Sequence, residues 1–280
     1  MKKAVVTGSS GFIGSHLVRR LKSEGFDVVR IPHENLKSKE YLLGYMGSIN
    51  PQYIFHLASY GNMSNQSDED EMVQANYINT YNLIQATLNL PYVLFVNFST
   101  SSVYGKTYRR MREYHRLKPD TLYAATKAGA EYLCRHFRKK YKKVIVNVRP
   151  FSVYGPGEAD FRFIPTLIRN DMQANVSTVI QGNHDWIYID DFINGVMKLV
   201  ENAGSLPHRT FNIGSGEMKS NFDIANLISD SFTISNERKI QDSDVWVSDN
   251  RRLRELNWRP MTTLEEGIFK TYEHIKAKDN

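Results

Sequence analysis

Two side chains near the middle of the chain have the types and the spacing needed for proton transfer. Tyr123 and Lys127 stand four residues apart in the segment YAATK, so a helix would place both on one face. A nearby ammonium favours the phenolate and lowers the pKa of a tyrosine, which is otherwise too weak an acid near neutral pH. The pair can then exchange a proton with an alcohol oxygen while a hydride moves to or from its carbon. Thr100, at the carboxyl end of an apolar segment, can hydrogen-bond the same oxygen.

The N-terminal segment VVTGSSGFIGSHL has the glycine spacing of a phosphate-binding turn. Gly8 permits a tight turn, Gly11 removes a side chain where a pyrophosphate approaches the backbone, and Gly14 lets the following helix pack closely. Unpaired N–H groups at the start of that helix attract phosphate oxygens. The segment therefore predicts a nicotinamide dinucleotide site. We expect three further residues of the turn to contact the cofactor: Ser10, Phe12 and Ile13.

The choice between NAD and NADP is usually made at the end of the second strand, where an acidic residue accepts from the adenosine ribose of NAD. Here that strand reads DVVRI and Pro32 occupies the place of the acid. Arg30 and His33 are near enough to meet a 2′-phosphate, which favours NADP. Glu34 could reach the ribose after a small change of register, so NAD stays as the alternative.

Strands and helices must alternate to position these groups. Apolar, β-branched segments predict strands at 4–7, 27–31, 53–58, 94–98 and 143–148. Helical spacing predicts helices at 14–24, 41–49, 71–89 and 123–141. This alternation predicts an α/β fold, a Rossmann-type doubly wound parallel sheet formed by residues 1–150. Segments shorten after Pro150, so we expect residues 151–280 to form a small C-terminal α/β substrate-binding part, interleaved with the first domain.

Composition excludes several other classes of protein. The chain is 41% hydrophobic and 24% charged and has no apolar run of eighteen residues, so we expect a globular protein without a membrane span. Its one cysteine, Cys134, allows no internal disulfide and fits a cytoplasmic location. Much of the net charge of +6 lies in basic clusters at 109–116 and 138–143. We interpret these clusters as solvated surfaces and expect no nucleic-acid partner. We expect no metal site.

The motifs belong to a longer ordered set that covers nearly the whole chain. After TGSSGFIGSHL come FHLA (55–58), Asn76 with TYNL (80–83), STSSVYG (99–105), YAATK, RPFSVYGPG (149–157), WIYIDD (186–191), FNIGSG (211–216) and LNWRP (256–260). In this order the set resembles the extended short-chain dehydrogenase/reductase family, a group of NAD(P)-dependent nucleotide-sugar epimerases, dehydratases and reductases. The resemblance implies an enzyme that acts on a nucleotide-diphosphate sugar.

The resemblance also implies roles for single positions. Thr100, Tyr123 and Lys127 match the catalytic residues, and Lys127 also matches the residue that holds the nicotinamide ribose. Further positions match residues that contact the dinucleotide, namely Leu57, Ala58, Ser59, Pro150 and Val153.

Three positions match substrate contacts of the family, although their identity or register departs from its usual pattern. Ser152 stands where many relatives have an asparagine that touches the substrate phosphates. His184 stands where many have an arginine that grips the nucleotide diphosphate, and a surface histidine is the alternative interpretation. Arg252 falls near a second basic position.

The residues after Thr100 bear on which reaction the resemblance implies. Family 4,6-dehydratases have an Asp-Glu pair there, whereas this chain has Ser101 and Ser102, which we expect to contact substrate but which cannot supply carboxylate chemistry. This argues against dehydration. Reduction of a 4-keto(-6-deoxy) sugar is favoured by the missing acid at the second strand and by the short connection to the third. STSSVYG is equally like the epimerases, so 4-epimerisation with a retained NAD is the alternative.

Two further expectations concern function and assembly. A catalytically idle dinucleotide-binding regulator is a possibility of another class, against which the intact Thr100, Tyr123 and Lys127 argue. We also expect a homodimer in which the helices at 71–89 and 123–141 pair with their copies. Apolar residues on the second helix fit this pairing: Tyr132, Leu133 and Phe137.

Overall fold

The fold is built on a central parallel sheet. The computed structural model describes residues 1–63, 65–238 and 244–279. The strands are β1 (Lys3–Thr7), β2 (Asp27–Ile31), β3 (Tyr53–His56), β4 (Leu94–Phe98), β5 (Ile145–Pro150), β6 (Ser152–Tyr154), β7 (Ser177–Gln181), β8 (Asn183–His184), β9 (Trp186–Tyr188), β10 (Thr210–Ile213), β11 (Lys219–Ser220) and β12 (Phe232–Arg238).

Helices connect most of these strands. They are α1 (Phe12–Ser23), α2 (Lys39–Ile49), α3 (Glu69–Val73), α4 (Asn79–Thr87), α5 (Leu122–Tyr141), α6 (Phe163–Met172), α7 (Ile189–Glu201), α8 (Asn221–Ile228), α9 (Arg251–Arg254) and α10 (Leu264–Asp279). Shorter 3₁₀ turns cover Glu34–Lys37 and Ser101–Tyr104, and a π-helical turn covers Gln74–Ile78. No helix in the described part of the chain is both long enough and apolar enough to cross a bilayer.

The largest sheet has the strand order β10-β5-β4-β3-β1-β2. Its pairs from β2 to β5 are parallel, and every residue of β3 and β4 is buried, as in a sheet covered on both faces. The chain leaves β1 for β2 on one side and returns to β3 on the other, which creates a switch point at the carboxyl ends of β1 and β3. These features confirm the predicted Rossmann-type fold.

Compact packing divides the chain into two units. The first comprises Met1–Gly105, Arg116–Arg149 and Val196–Phe211. The second comprises the described residues of Lys106–His115, Pro150–Gly195 and Asn212–Asn280. In the second unit, β6 pairs with β9 in parallel and β8 pairs with β11 in antiparallel fashion.

The helix α5, which carries the predicted catalytic pair, has well-defined ends. The Thr121 side chain accepts a hydrogen bond from the Ala124 N–H and caps the first turn, and Lys142 ends the helix in a left-handed conformation with φ of 53°. Thr121 therefore fixes where the helix begins, two residues before Tyr123.

The helix expected at 71–89 is not a single regular helix. It consists of α3, the π turn and α4, and it ends at Thr87. The π turn contains Asn76, whose fully buried side chain is engaged in hydrogen bonds. Hydrophobic spacing cannot reveal such a turn, because it depends on where one polar side chain finds its partners.

One face of α5 packs into the core of the first unit. Cys134 is fully buried there, and burial raises the pKa of its thiol. Phe137 is only 5% exposed and belongs to the same cluster, so it does not offer the contact to a second copy that we expected of it. Tyr132 is 56% exposed on the same helix.

Candidate active site

The phosphate-binding turn forms between β1 and α1. Gly8 has a left-handed backbone with φ of +65°, and a Cβ on it would lie 2.6 Å from the backbone nitrogen of Ala58. A Cβ on Gly14 would overlap the carbonyl oxygen of Gly8, so glycine is needed for α1 to pack on the turn. A Cβ on Gly11 would meet only that same oxygen, at 3.4 Å, which leaves its backbone approachable. The turn is thus tightly packed at two glycines and open at the third.

The first turn of α1 is suited to an anion. Gly11 is its N-cap and supplies no side-chain hydrogen bond, and the first turn contains no acidic residue. Ser10 is exposed, while Phe12 and Ile13 are half-buried. The start of the helix therefore presents backbone N–H groups and a partial positive charge beside the open glycine.

A buried histidine connects β1 with β3. Thr7 Oγ1 accepts from the Ala58 N–H at 3.1 Å and lies 2.8 Å from Nδ1 of His56. Nε2 of His56 lies 2.9 Å from Thr80 Oγ1, whose hydroxyl donates to the carbonyl of Asn76. Thr80 must therefore accept from Nε2–H, which leaves Nδ1 as the acceptor for Thr7. Burial, with the nearby charge of Lys127, lowers the pKa of His56 to about 3, so the ring is neutral.

The same network continues into α5. Asn76 Nδ2 donates to Thr126 Oγ1 at 3.0 Å and to the carbonyl of Tyr60 at 2.8 Å. Thr126 in turn donates to the carbonyl of Tyr123 at 2.9 Å. A chain of buried hydrogen bonds thus runs from the phosphate-binding turn to the first turn of α5. Asn76, Thr126 and Tyr123 are held in one register by it.

Lys127 is the buried cation of this region. It is 2% exposed, and burial lowers the pKa of its ammonium to about 8, while the charge of Glu131 acts in the opposite direction. In the described part of the chain its ammonium has no hydrogen-bonding or ion-pair partner. A buried, unpaired ammonium is costly unless a ligand or a neighbouring phenolate interacts with it. Tyr123 lies one turn earlier on α5 and is half-buried.

Thr100 caps the 3₁₀ turn that packs against α5. Its Oγ1 accepts from the Ser102 N–H at 3.2 Å and donates to Ser102 Oγ at 3.1 Å. Ser101 is 5% exposed and Ser102 is half-buried. The two serines thus lie where the sequence placed them, and Ser102 orients the Thr100 hydroxyl.

An ion pair that the sequence did not reveal lies behind this turn. Arg149 donates to both carboxylate oxygens of Glu131, at 2.8 and 2.6 Å, and to the hydroxyl of Tyr104 at 2.7 Å. Tyr104 ends the 3₁₀ turn and Glu131 lies one turn after Lys127. The sequence does place Glu131 four residues after Lys127, on the same face of a helix. Arg149, however, is brought to Glu131 only by the arrangement of the sheet.

Of the residues expected at the adenosine ribose, His33 shares a carboxylate with Lys37. His33 Nε2 lies 2.8 Å from Glu71 Oε1, and Lys37 Nζ lies 2.7 Å from Glu71 Oε2. Hydrogen bonds from Lys37 and His33 lower the pKa of Glu71. Arg30 is exposed, with no carboxylate partner among the described residues. Glu34 begins the 3₁₀ turn. The acid that contacts Lys37 and His33 is Glu71, which the sequence did not indicate.

Leu57, Ala58 and Ser59 follow β3 directly. Ala58 is buried against the Gly8 turn, Leu57 is half-buried and Ser59 is exposed. These positions line the carboxyl end of β3 at the switch point, where ligands of such sheets bind.

The other expected contacts belong to the second unit. Pro150 follows Arg149 at the end of β5, Ser152 donates its N–H to the Asp185 carbonyl at 3.0 Å, and Val153 pairs with Ile187. The ring of His184 lies 5.2 Å from that of Trp186 and 6.4 Å from that of Trp246, between centroids. Arg252 Nε lies 3.6 Å from Glu113 Oε2.

Asp185 organises this part of the second unit. Its fully buried carboxylate accepts from the N–H and hydroxyl groups of both Ser215 and Ser248 and from the N–H of Gly216. Burial raises the pKa of Asp185, and these hydrogen bonds oppose that rise. Asp185 thereby fixes the strand position of His184 beside it.

A second buried carboxyl, Glu158, follows β6. Its Oε2 is buried without a hydrogen-bond partner among the described residues, and burial raises its pKa to about 8. Nothing in its sequence neighbourhood distinguishes it from a surface glutamate.

Comparison with known proteins agrees with this geometry. The profile of the NAD dependent epimerase/dehydratase family matches residues 4–214. An uncharacterized UDP-glucose epimerase of Bacillus subtilis is 30% identical over 98% of each chain, and the CDP-abequose synthase of Salmonella typhimurium is 27% identical over 94% of this chain and 95% of its own. The UDP-glucuronic acid 4-epimerase of Bacillus cereus, solved with UDP-glucuronic acid and NAD, superposes with a TM-score of 0.84 at 25% identity, over 99% of both chains.

Proposed function

The chain belongs to the NAD dependent epimerase/dehydratase family and is an enzyme of the extended short-chain dehydrogenase/reductase type, and from this we propose that it carries out NAD(P)-dependent oxidoreduction at C4 of a nucleotide-diphosphate sugar. The observation that carries the proposal is the buried ammonium of Lys127, one turn after Tyr123, which has no partner among the described residues. Such a cation stabilises the phenolate and makes Tyr123 an acid and base near neutral pH.

The chain's own residues have distinct tasks in this proposal. A bound nicotinamide supplies or accepts the hydride. The Gly8–Gly14 turn (positions 8–14) and the start of α1 hold the diphosphate of the cofactor, and Lys127 holds the nicotinamide ribose. Tyr123 transfers the proton at the substrate oxygen, and the Thr100 hydroxyl, which donates to Ser102 in the structure, would turn to donate to that oxygen.

We propose net reduction of a 4-keto(-6-deoxy) sugar by NADPH as the reaction. Support comes from the end of β2, where Pro32 stands in the place of the acid and Arg30 is exposed. Lys37 and His33 lie close by and share the carboxylate of Glu71. Because a 2′-phosphate is an anion, such a group favours NADP over NAD.

The second candidate is 4-epimerisation with a retained NAD. It is supported by the Bacillus subtilis and Bacillus cereus epimerases, the second of which was solved with NAD. Dehydration has less support, because Ser101 and Ser102 supply hydroxyls where carboxylates would be needed. We assign substrate contacts to Ser101, Ser102, Ser152, His184 and Arg252.

An absorbance assay separates the candidates. We expect the purified protein to oxidise NADPH with a CDP- or dTDP-4-keto-6-deoxyglucose, and Tyr123→Phe to reduce the rate about 10²-fold or more. Tyr132→Phe, an exposed tyrosine on the same helix, is the matched control and should keep the wild-type rate. Tightly bound NAD with interconversion of C4 epimers and no net cofactor change would establish the epimerase instead. A Tyr123→Phe variant without any effect would favour the regulator.

We further propose a homodimer through the helical segment from α3 to α4 and through α5. The exposed Tyr132 supports it, whereas Phe137 is occupied by the core. Light scattering at micromolar concentration tests it, and a monomeric mass would reject it.

A further inference from the structure

The second unit contains a pocket lined by basic side chains from a single segment. Its residues are Arg109, Arg110, Arg112, Tyr114 and His115, which enclose about 260 Å³. We propose that this pocket binds a phosphate or diphosphate group.

Two of the three guanidinium groups of the pocket, those of Arg110 and Arg112, are held in place by hydrogen bonds. Arg110 Nη1 donates to the carbonyls of Gly216 and Ser248, at 2.8 and 2.9 Å. Arg112 Nε donates to Asp249 Oδ2 at 3.1 Å, and Arg112 Nη1 donates to the Tyr114 hydroxyl at 2.6 Å. Fixed guanidinium groups lose little side-chain entropy when an anion binds, which strengthens charge-assisted hydrogen bonds.

The positive charge of the pocket exceeds the negative charge around it. Asp249 is the carboxylate on Arg112, and it is shared with Arg251, which donates to it at 2.7 and 2.9 Å. In the described part of the chain no carboxylate pairs with Arg109 or Arg110. Glu113 is the acidic residue within the segment 109–116. It accepts from the Asn212 N–H and lies beside Arg252. Its side chain is 4% exposed and interacts with Arg252, which is not one of the pocket residues.

The number and the shape of the donors favour phosphate over a carboxylate. A single carboxylate is satisfied by one guanidinium fork, whereas phosphate oxygens accept from several at once. Close to the pocket, Gly216 also donates its N–H to Asp185, which precedes Trp186 and follows His184. The pocket is thus fixed to the same buried carboxylate that holds the strand of His184.

His115 provides a reporter inside the pocket. Burial and the charges of Arg109 and Arg112 lower the pKa of His115, and Asp249 acts in the opposite direction. A bound dianion would offset the two arginines and raise the pKa of this imidazole.

The test is binding of inorganic pyrophosphate to the full chain, measured by calorimetry at fixed ionic strength. We expect Arg109→Gln with Arg112→Gln to weaken binding at least tenfold. Arg110 is left intact because it holds two carbonyls. The control is Arg19→Gln with Arg116→Gln, which removes the same charge outside the pocket and should leave affinity unchanged. Equal loss in both double variants, or no binding by the wild type, would overturn the proposal.

Two additional measurements identify the source of the phosphate and guard against misfolding. If the pocket variant raises the KM for a nucleotide sugar with kcat unchanged, the phosphates are those of the substrate. If pyrophosphate binds and KM does not change, the ligand is a free phosphate compound.

An upward shift of the His115 pKa in NMR titrations with pyrophosphate is expected of the wild type, and no shift would count against the pocket. None of the binding measurements requires turnover, so they test the pocket independently of the proposed reaction.

Discussion

Arg149 and Glu131 form a bidentate ion pair in the interior, with side chains only 4% and 6% exposed. The pair joins the end of β5 to α5, one turn beyond Lys127. Because Arg149 also donates to Tyr104, it fixes the turn of Thr100 against the helix of Tyr123. Arg149 therefore helps to set the position of Thr100 relative to Tyr123 and Lys127.

Replacing one partner should be costly. In Glu131→Gln the buried charge of Arg149 loses its counter-ion, so we expect the free energy of unfolding to fall by about 3 kcal/mol or more. Urea unfolding measures it. Glu201→Gln, which breaks the exposed pair with Lys198, should change it by about 1 kcal/mol at most. Equal changes in the free energy of unfolding in the two variants would show that the buried pair stabilises the fold no more than the exposed one.

The rate of the reductive reaction should fall as pH rises through about 8, because Lys127 then loses its proton and no longer stabilises the phenolate left after Tyr123 donates its proton. The pH profile of kcat/KM shows this break. In Lys127→Arg, whose guanidinium stays charged, we expect the break to disappear even if the overall rate is lower. Lys198→Arg is the surface control and should retain it. A break that persists in Lys127→Arg would assign it to another group.

His56 should make the protein sensitive to acid. Its folded-state pKa of about 3 lies below the unfolded value of 6.5, so between these values only the unfolded chain binds the proton. Its contribution to stability therefore falls with pH below 6.5, by about 1.4 kcal/mol for each unit down to about 3. Unfolding of His56→Gln at several pH values should show a shallower loss. The exposed His274→Gln should keep the wild-type slope, and equal slopes in all three proteins would contradict the prediction.

Glu71 should decide how strongly the chain prefers NADP. Its carboxylate forms an ion pair with Lys37 and a hydrogen bond with His33, so Glu71→Gln should raise the ratio of kcat/KM for NADPH to that for NADH by about fivefold, as for a change of ~1 kcal/mol. Glu69→Gln, an exposed acid in the same helix, is the control. If the ratio instead falls in Glu71→Gln, the adenosine ribose does not bind beside Glu71.

The strand and helix pattern was predictable because apolar spacing reports burial directly. Strands β2 and β4 have the predicted bounds, and α5 begins one residue earlier than predicted. The glycine turn was predictable as well, since Gly8 and Gly14 have backbone requirements that few residues meet.

The less predictable features depend on long-range partners. Arg149 lies 18 residues from Glu131, and Glu71 lies 38 residues from His33. Only the order of strands in the sheet brings such residues together. The basic segment at 109–116 was expected to be a solvated loop. Arg110 and Arg112 instead gain fixed positions from two carbonyls and a carboxylate more than a hundred residues away.

The π turn at Gln74–Ile78 changes the direction in which side chains point before and after it along the helical segment from α3 to α4. Each residue of an α-helix advances about 100° around its axis, so one extra residue in the turn shifts everything beyond it by that angle. Before the shift, Glu71 reaches Lys37 and His33 beside β2; within it, Asn76 reaches Thr126. Deleting one residue here would leave a more regular helix that could satisfy one of these contacts but not both. The chain should therefore tolerate many substitutions in this segment better than a single deletion.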